Sequence, residues 1–190
     1  MTFSTPLVLA IGDSLVAGYG LPTAAAFPAQ LERGLRTRHP AARVVAAGVS
    51  GDTSSGVLRR LPRLLSALDA QPDLAIVQIG PNDVLRQIPP ALTRANLDAI
   101  LVELGRCAVP VLLTTVAPPP ILRDRAIAYL GLHEEAARRH GALTCPFFPP
   151  NVLGHRDMVL ADCIHPNAAA IAAVVTAMLP IVEQALAKPR

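Results

Sequence analysis

The chain has 190 residues, 52% hydrophobic and 16% charged, with 17 basic against 14 acidic side chains and a net charge of +3. This size suits one domain over residues 1–190 with a sizeable core, and the composition excludes a disordered or solvating chain. The basic residues are nearly all arginines scattered through helical stretches, with no basic run or aromatic-interleaved stripe, which argues against a nucleic-acid partner.

The first strand-like run is Leu7–Ile11. No basic segment, apolar core and small-residue cleavage site precede it, so the chain reads as cytoplasmic; a removed export signal would make it periplasmic or secreted. Gly12-Asp13-Ser14-Leu15 follows, placing a carboxylate and a hydroxyl at a strand's carboxyl end. Asp13 and Ser14 can equally form an Asx turn or cap the next helix. A helix is expected over Ala24–Arg38 and a second strand over Arg43–Val49. Then comes Ser50-Gly51-Asp52-Thr53-Ser54, where Gly51 can leave its N–H free for a developing oxyanion while Thr53 or Ser54 caps the helix Ser55–Ala70.

The third strand is Leu74–Ile79, followed by Gly80-Pro81-Asn82-Asp83. The Asn82 amide is a candidate oxyanion donor or the head of an Asx turn, and Asp83 is expected to cap or brace the loop. A helix over Ala91–Cys107, a strand over Val111–Val116, a helix over Asp124–His140 and a strand over Leu143–Phe147 complete the alternation. Pro118-Pro119-Pro120 and Pro146 with Pro149-Pro150 mark stiff loops after the last two strands. All five strands have the apolar character of parallel strands covered on both faces. The fold class is α/β, a three-layer α/β/α sandwich with a five-stranded parallel sheet of flavodoxin-like topology, binding ligands at the strands' carboxyl ends.

Asp162-Cys163-Ile164-His165-Pro166-Asn167 places a carboxylate three residues before a histidine. That spacing lets the carboxylate reach Nδ1–H and leaves Nε2 as a base towards a serine; alternatively Asp162 caps the last helix and His165 is an ordinary surface or core histidine. The last helix is expected over Asn167–Ala187. Its apolar stretch Ala168 to Leu179 is too short to cross a bilayer, is stopped by Pro180, and reads as buried, without membrane insertion.

The blocks Gly12-Asp13-Ser14-Leu15, Gly51, Gly80-Pro81-Asn82-Asp83 and Asp162-Cys163-Ile164-His165-Pro166-Asn167 occur in order over essentially the whole chain. On them the sequence resembles the G-D-S-L or S-G-N-H hydrolases, most closely the bacterial thioesterase, lysophospholipase and arylesterase subgroup. The resemblance implies Ser14 as nucleophile, His165 as base, Asp162 as its orienting carboxylate, and Ser14 N–H, Gly51 N–H and Asn82 as oxyanion hole. It implies no metal and no cofactor, and a small acyl ester or thioester as substrate. Cys163 departs from the subgroup, which commonly has glycine there; it reads as a small buried hydrophobe.

Asp13, Val84, Leu85, Pro118 and His155 are the expected substrate-binding residues, in a mostly apolar pocket for short to medium acyl chains, with carbohydrate deacetylation or lysophospholipid hydrolysis as alternatives. Arg59, Arg60 and Arg63 read as a solvated helix face. His39, His133, His140 and His155 lack partners at metal-ligand spacing. Cys107, Cys145 and Cys163 are too few and too dispersed for a disulfide framework or zinc knuckle and fit a reducing compartment. A non-catalytic flavodoxin-like binding module would want a glycine-rich phosphate loop, and an Asp13-centred phosphotransferase a carboxylate cluster and a nearby lysine; neither signal is present.

Overall fold

The computed structural model describes residues 5–115, 123–150, 152 and 154–187. Five strands, β1 (Leu7–Gly12), β2 (Arg43–Gly48), β3 (Leu74–Gln78), β4 (Val111–Thr115) and β5 (Leu143–Pro146), form one parallel sheet in the order β2-β1-β3-β4-β5. The direction of winding reverses at β1, which pairs with β2 on one side and β3 on the other. Such a reversal opens a crevice beyond the strands' carboxyl ends, because the following loops diverge to opposite sides.

Alternation along the strands separates two cores. Val8, Ala10, Leu74, Ile76 and Leu112 point to one face, under helices α2 (Phe27–Arg36) and α8 (Ala168–Leu186). Leu9, Ile11, Ala75, Val77 and Leu113 point to the other, under α3 (Ser54–Ser66), α5 (Pro90–Arg106) and α7 (Leu132–His140). Only the inner strands have the two-sided cover expected for all five. β2 leaves Arg43 and Ala46 exposed, and β5 leaves Thr144 and Pro146 exposed, since an edge strand has a neighbour on one side only.

Three helices differ from expectation. The first expected helix is divided into a 3₁₀ turn, Thr23–Ala25, and α2, which takes Pro28 in its first turn, where no N–H is needed. The stretch 124–140 is broken into α6 (Arg123–Ala126), a 3₁₀ turn (Ile127–Tyr129) and α7, because Gly131 turns left-handed at φ 79°. Pro180 does not stop the last helix, which continues to Leu186 while Met178, Val182 and Ala185 pack on the sheet; burial outweighs the lost backbone bond. At 19 residues α8 is long and apolar enough to cross a membrane, contrary to the shorter reading; here one of its faces is core.

Two single-turn helices lie at the crevice, α1 (Ser14–Ala17) and α4 (Pro81–Leu85). The end of β2 presses against α1 so closely that a Cβ on Gly48 would lie 2.2 Å from the Ala17 nitrogen. Backbone must move to admit it. Gly48→Ala is therefore expected to lower stability by about 1–3 kcal/mol, measured by urea unfolding.

Candidate active site

Ser14 is the first residue of α1, directly after β1. Asp13 caps that turn, its Oδ1 accepting the Leu15 N–H at 3.0 Å, and the turn ends at Gly18 in the left-handed region at φ 75°. A helix of one turn between two such caps presents the Ser14 hydroxyl at the sheet edge without burying it.

The histidine arrives from the far end of the chain. His165 Nε2 lies 3.1 Å from Ser14 Oγ, and His165 Nδ1 lies 2.6 Å from Asp162 Oδ2. The other oxygen, Asp162 Oδ1, accepts the backbone N–H groups of Ile164 at 2.9 Å and His165 at 3.0 Å. One carboxylate therefore holds both the ring and the backbone of its histidine. Those hydrogen bonds, led by the one from His165 N–H, hold the Asp162 carboxyl down to about 2, so it is ionised at any working pH.

The turn is closed by Leu160 N–H to His165 C=O at 2.8 Å and Cys163 N–H to Leu160 C=O at 2.9 Å. Asn167, not Asp162, caps α8, accepting from Ala170 N–H at 3.0 Å. Cys163 is exposed, contrary to the buried reading, and sits at φ 57°, a conformation that glycine adopts at less cost.

In the loop after β2, Gly51 adopts φ 79°, and its carbonyl accepts from Arg86 Nη2 at 2.7 Å. The N–H groups of Ser14 and Gly51 have no acceptor among the described residues. Asn82 is more committed: its Nδ2 donates to the Asp52 carbonyl at 2.9 Å and approaches Asp13 Oδ2 at 3.4 Å. Asp83 behind it is fully buried and braces the loop as expected, accepting from Ser54 N–H at 2.9 Å, from Ser54 Oγ–H, and from Thr93 Oγ1–H at 3.1 Å. Asn96 closes the network onto Ser54 Oγ at 2.9 Å.

Ser14, Gly51, Asn82 and His165 face a cleft of about 1330 Å³. Among the expected substrate-binding residues, Val84, Leu85 and His155 line it, while Pro118 lies outside the described residues. Asp13 also borders the cleft and is only 1% exposed; its carboxylate accepts from Leu15 N–H and faces Asn82 Nδ2, and burial pushes it up to about 6. Among the described residues no three His, Cys, Asp or Glu side chains group to hold a metal ion.

Three contacts were not expected from the sequence. Tyr19 lays its ring beside His165, centroids 4.3 Å apart and planes inclined by 34°. Arg60 does not belong to a solvated face: it pairs with Asp52 at 2.8 Å and donates to the Gly12 carbonyl at 3.1 Å, tying the second loop to the end of β1. His133 reaches the Ile79 carbonyl at 2.7 Å. The glycines on either side of Tyr19 were the one local sign that its ring stands on a tight turn.

A serine, histidine and carboxylate in hydrogen-bonded series at the edge of a cleft can carry out acyl transfer. Comparison with known proteins agrees. The model of the GDSL-like lipase/acylhydrolase family matches residues 10–173. Esterase TesA of Pseudomonas aeruginosa is 37% identical over 86% of this chain and 81% of its own length. Thioesterase 1/protease 1/lysophospholipase L1 of Escherichia coli is 35% identical over 84% of this chain and 75% of its own length. The crystal structure of AlinE4, an SGNH-hydrolase family esterase, superposes with a TM-score of 0.78 at 38% identity, covering 99% of this chain and all of that one. With the family's blocks on three adjacent strand ends and one C-terminal turn, the chain belongs to the GDSL-like lipase/acylhydrolase family and is a carboxylic ester hydrolase.

Proposed function

We propose that this esterase works through an acyl-enzyme on Ser14. The observation that carries the reading is the series Asp162 Oδ2, His165 Nδ1, His165 Nε2, Ser14 Oγ, with separations of 2.6 and 3.1 Å at its two hydrogen bonds. The acceptor carboxylate requires Nδ1 to carry the proton, which leaves Nε2 free to take the one on Ser14. As Ser14 Oγ bonds to the carbonyl carbon, the proton moves to Nε2 and Asp162 stabilises the imidazolium. Collapse of the tetrahedral intermediate breaks the bond to the leaving alkoxide or thiolate, which receives that proton. Water then attacks the acyl-enzyme by the same route and releases the acid.

The oxyanion is assigned to Ser14 N–H, Gly51 N–H and Asn82 Nδ2. Neither backbone donor has an acceptor among the described residues. For Asn82 one amide hydrogen is held in the 2.9 Å bond from Nδ2 to the Asp52 carbonyl, and the other, whose Nδ2 lies a long 3.4 Å from Asp13 Oδ2, is the one a developing negative charge recruits.

The acyl and leaving groups are assigned to the cleft walls formed by Val84, Leu85, Leu130, Leu160 and Ile164. Leu85, Leu130 and Ile164 are 48%, 63% and 73% exposed, so a long chain laid along them would stay half in water and gain little for each added methylene. This supports short to medium acyl chains, on esters or thioesters. Relatives named as an esterase and as a thioesterase and lysophospholipase agree with that substrate class.

In a p-nitrophenyl ester series the rate should peak at short to medium chains; a maximum at long chains would count against the wall assignment. Fluorophosphonate labelling mapped by mass spectrometry should mark Ser14, and Ser14→Ala should abolish both label and acyl-enzyme. Asn82→Ala should remain labelled while losing about 100- to 1,000-fold in kcat.

Burial raises Asp13 from 3.8 to about 6, so the folded protein binds its proton more tightly than the unfolded chain does. The stability gained by protonated Asp13 is full below about pH 4 and is lost as pH rises through 6. In urea unfolding between pH 4 and 7, Asp13→Asn should remove this fall, an effect of up to about 3 kcal/mol.

A further inference from the structure

His133 takes no part in the mechanism above, yet it borders the same cleft. It stands near the start of α7, on the face of the sheet that α3, α5 and α7 cover. The pairing of β3 with β1 ends at Gln78, and that with β4 ends at Val77. Ile79, fully buried one residue further on, has a carbonyl with no strand partner among the described residues. A buried carbonyl without a donor is destabilising, because its lost hydration is not replaced. His133 Nε2 supplies the donor at 2.7 Å.

A carbonyl only accepts, so Nε2 is the nitrogen that carries the proton. Burial pushes the His133 imidazole below its ordinary range, which favours the neutral ring with its single N–H in this bond. The next residue, Gly80, adopts φ 124°, and a Cβ there would lie 3.0 Å from His133 Cε1 and Nε2. The ring therefore both bonds the peptide before Gly80 and fills the space above it. Two residues later comes Asn82. Its side chain is held by the Asp52 carbonyl, and the backbone turn carrying it has Asp83 anchored in the Ser54 and Thr93 network. The stretch from Ile79 to Asn82 is thus clamped at both ends, and His133 is the clamp at the strand end.

We propose that His133 is a positioning residue of the oxyanion site, setting the Ile79–Gly80 peptide and through it the carboxamide of Asn82. This rests on the reading of Asn82 as an oxyanion donor. His133 itself touches no reacting atom. A displacement of about 1 Å in a catalytic group can cost on the order of 100-fold, so a single bond at the root of this turn has leverage on rate.

The test is a double-mutant cycle on the full chain, with a short-chain p-nitrophenyl ester as probe. His133→Leu fills the space without a donor, and His133→Gln returns an N–H near the position of Nε2. His133→Leu should lower kcat about 10- to 100-fold with KM nearly unchanged, and His133→Gln should recover most of the loss. In an Asn82→Ala background, where the group being positioned is gone, His133→Leu should cost less than about 2-fold. An equal loss in both backgrounds, or a wild-type kcat in His133→Leu, overturns the proposal. If His133→Leu does not fold, the comparison of His133→Gln with His133→Asn, whose shorter amide falls short of Ile79, takes its place with the same two outcomes. Fluorophosphonate labelling of each variant separates the failures: loss of the Ser14 label in wild-type protein sinks the underlying mechanism, whereas a retained label with an additive cycle sinks only the role of His133.

Discussion

Parallel pairing of β1 with both β2 and β3 is the constraint from which the site follows. Gly12 lies opposite Gly48 on one side and Gln78 on the other, so the three chains leave the sheet at the same level. Ser14, Gly51 and Asn82 are then each within a few residues of a common edge. No hydrogen bond among the three residues is needed to gather them; the ladder does so. Smaller ties refine the arrangement: Arg60 joins the Asp52 loop to the end of β1, and Asn82 joins the third loop to the second.

His165 has no such ladder. It lies 151 positions from Ser14, in a turn that carries no strand of the sheet, so its placement depends on local bonds. Asp162 supplies three of them, two to backbone N–H groups and one to the ring. Their effect contrasts with that at Asp13. Both residues are aspartates near one imidazole, but hydrogen bonds hold Asp162 at about 2 whereas burial lifts Asp13 to about 6. Environment thus separates two like side chains, one a permanent anion behind the histidine and the other a proton-sensitive cap beneath the serine.

Much of this was legible in the chain. Alternating apolar runs and helical periods predicted the five strands within two residues at their described ends, and the four motif blocks pointed to the residues that meet at the cleft. The misreadings share a cause. Pro180 and the 124–140 stretch were judged by local signals, yet core packing carried α8 through its proline while Gly131 divided the other stretch. Arg60 read as solvated because a helix face says nothing about an acidic partner in the preceding loop.

The sequence by itself determined the local chemistry: which segments alternate, which strand ends carry a hydroxyl, a carboxamide or a carboxylate, and that Asp162 is near enough along the chain to reach His165. These depend on residue type and short spacing, both written in order along the chain. Only the tertiary structure decided strand order, the 3.1 Å approach of His165 to Ser14, the depth of Asp13, the tilted contact of Tyr19 with His165 and the bond from His133 to Ile79. Each of these joins groups far apart in sequence or depends on what covers a side chain, and both are set by how the layers pack.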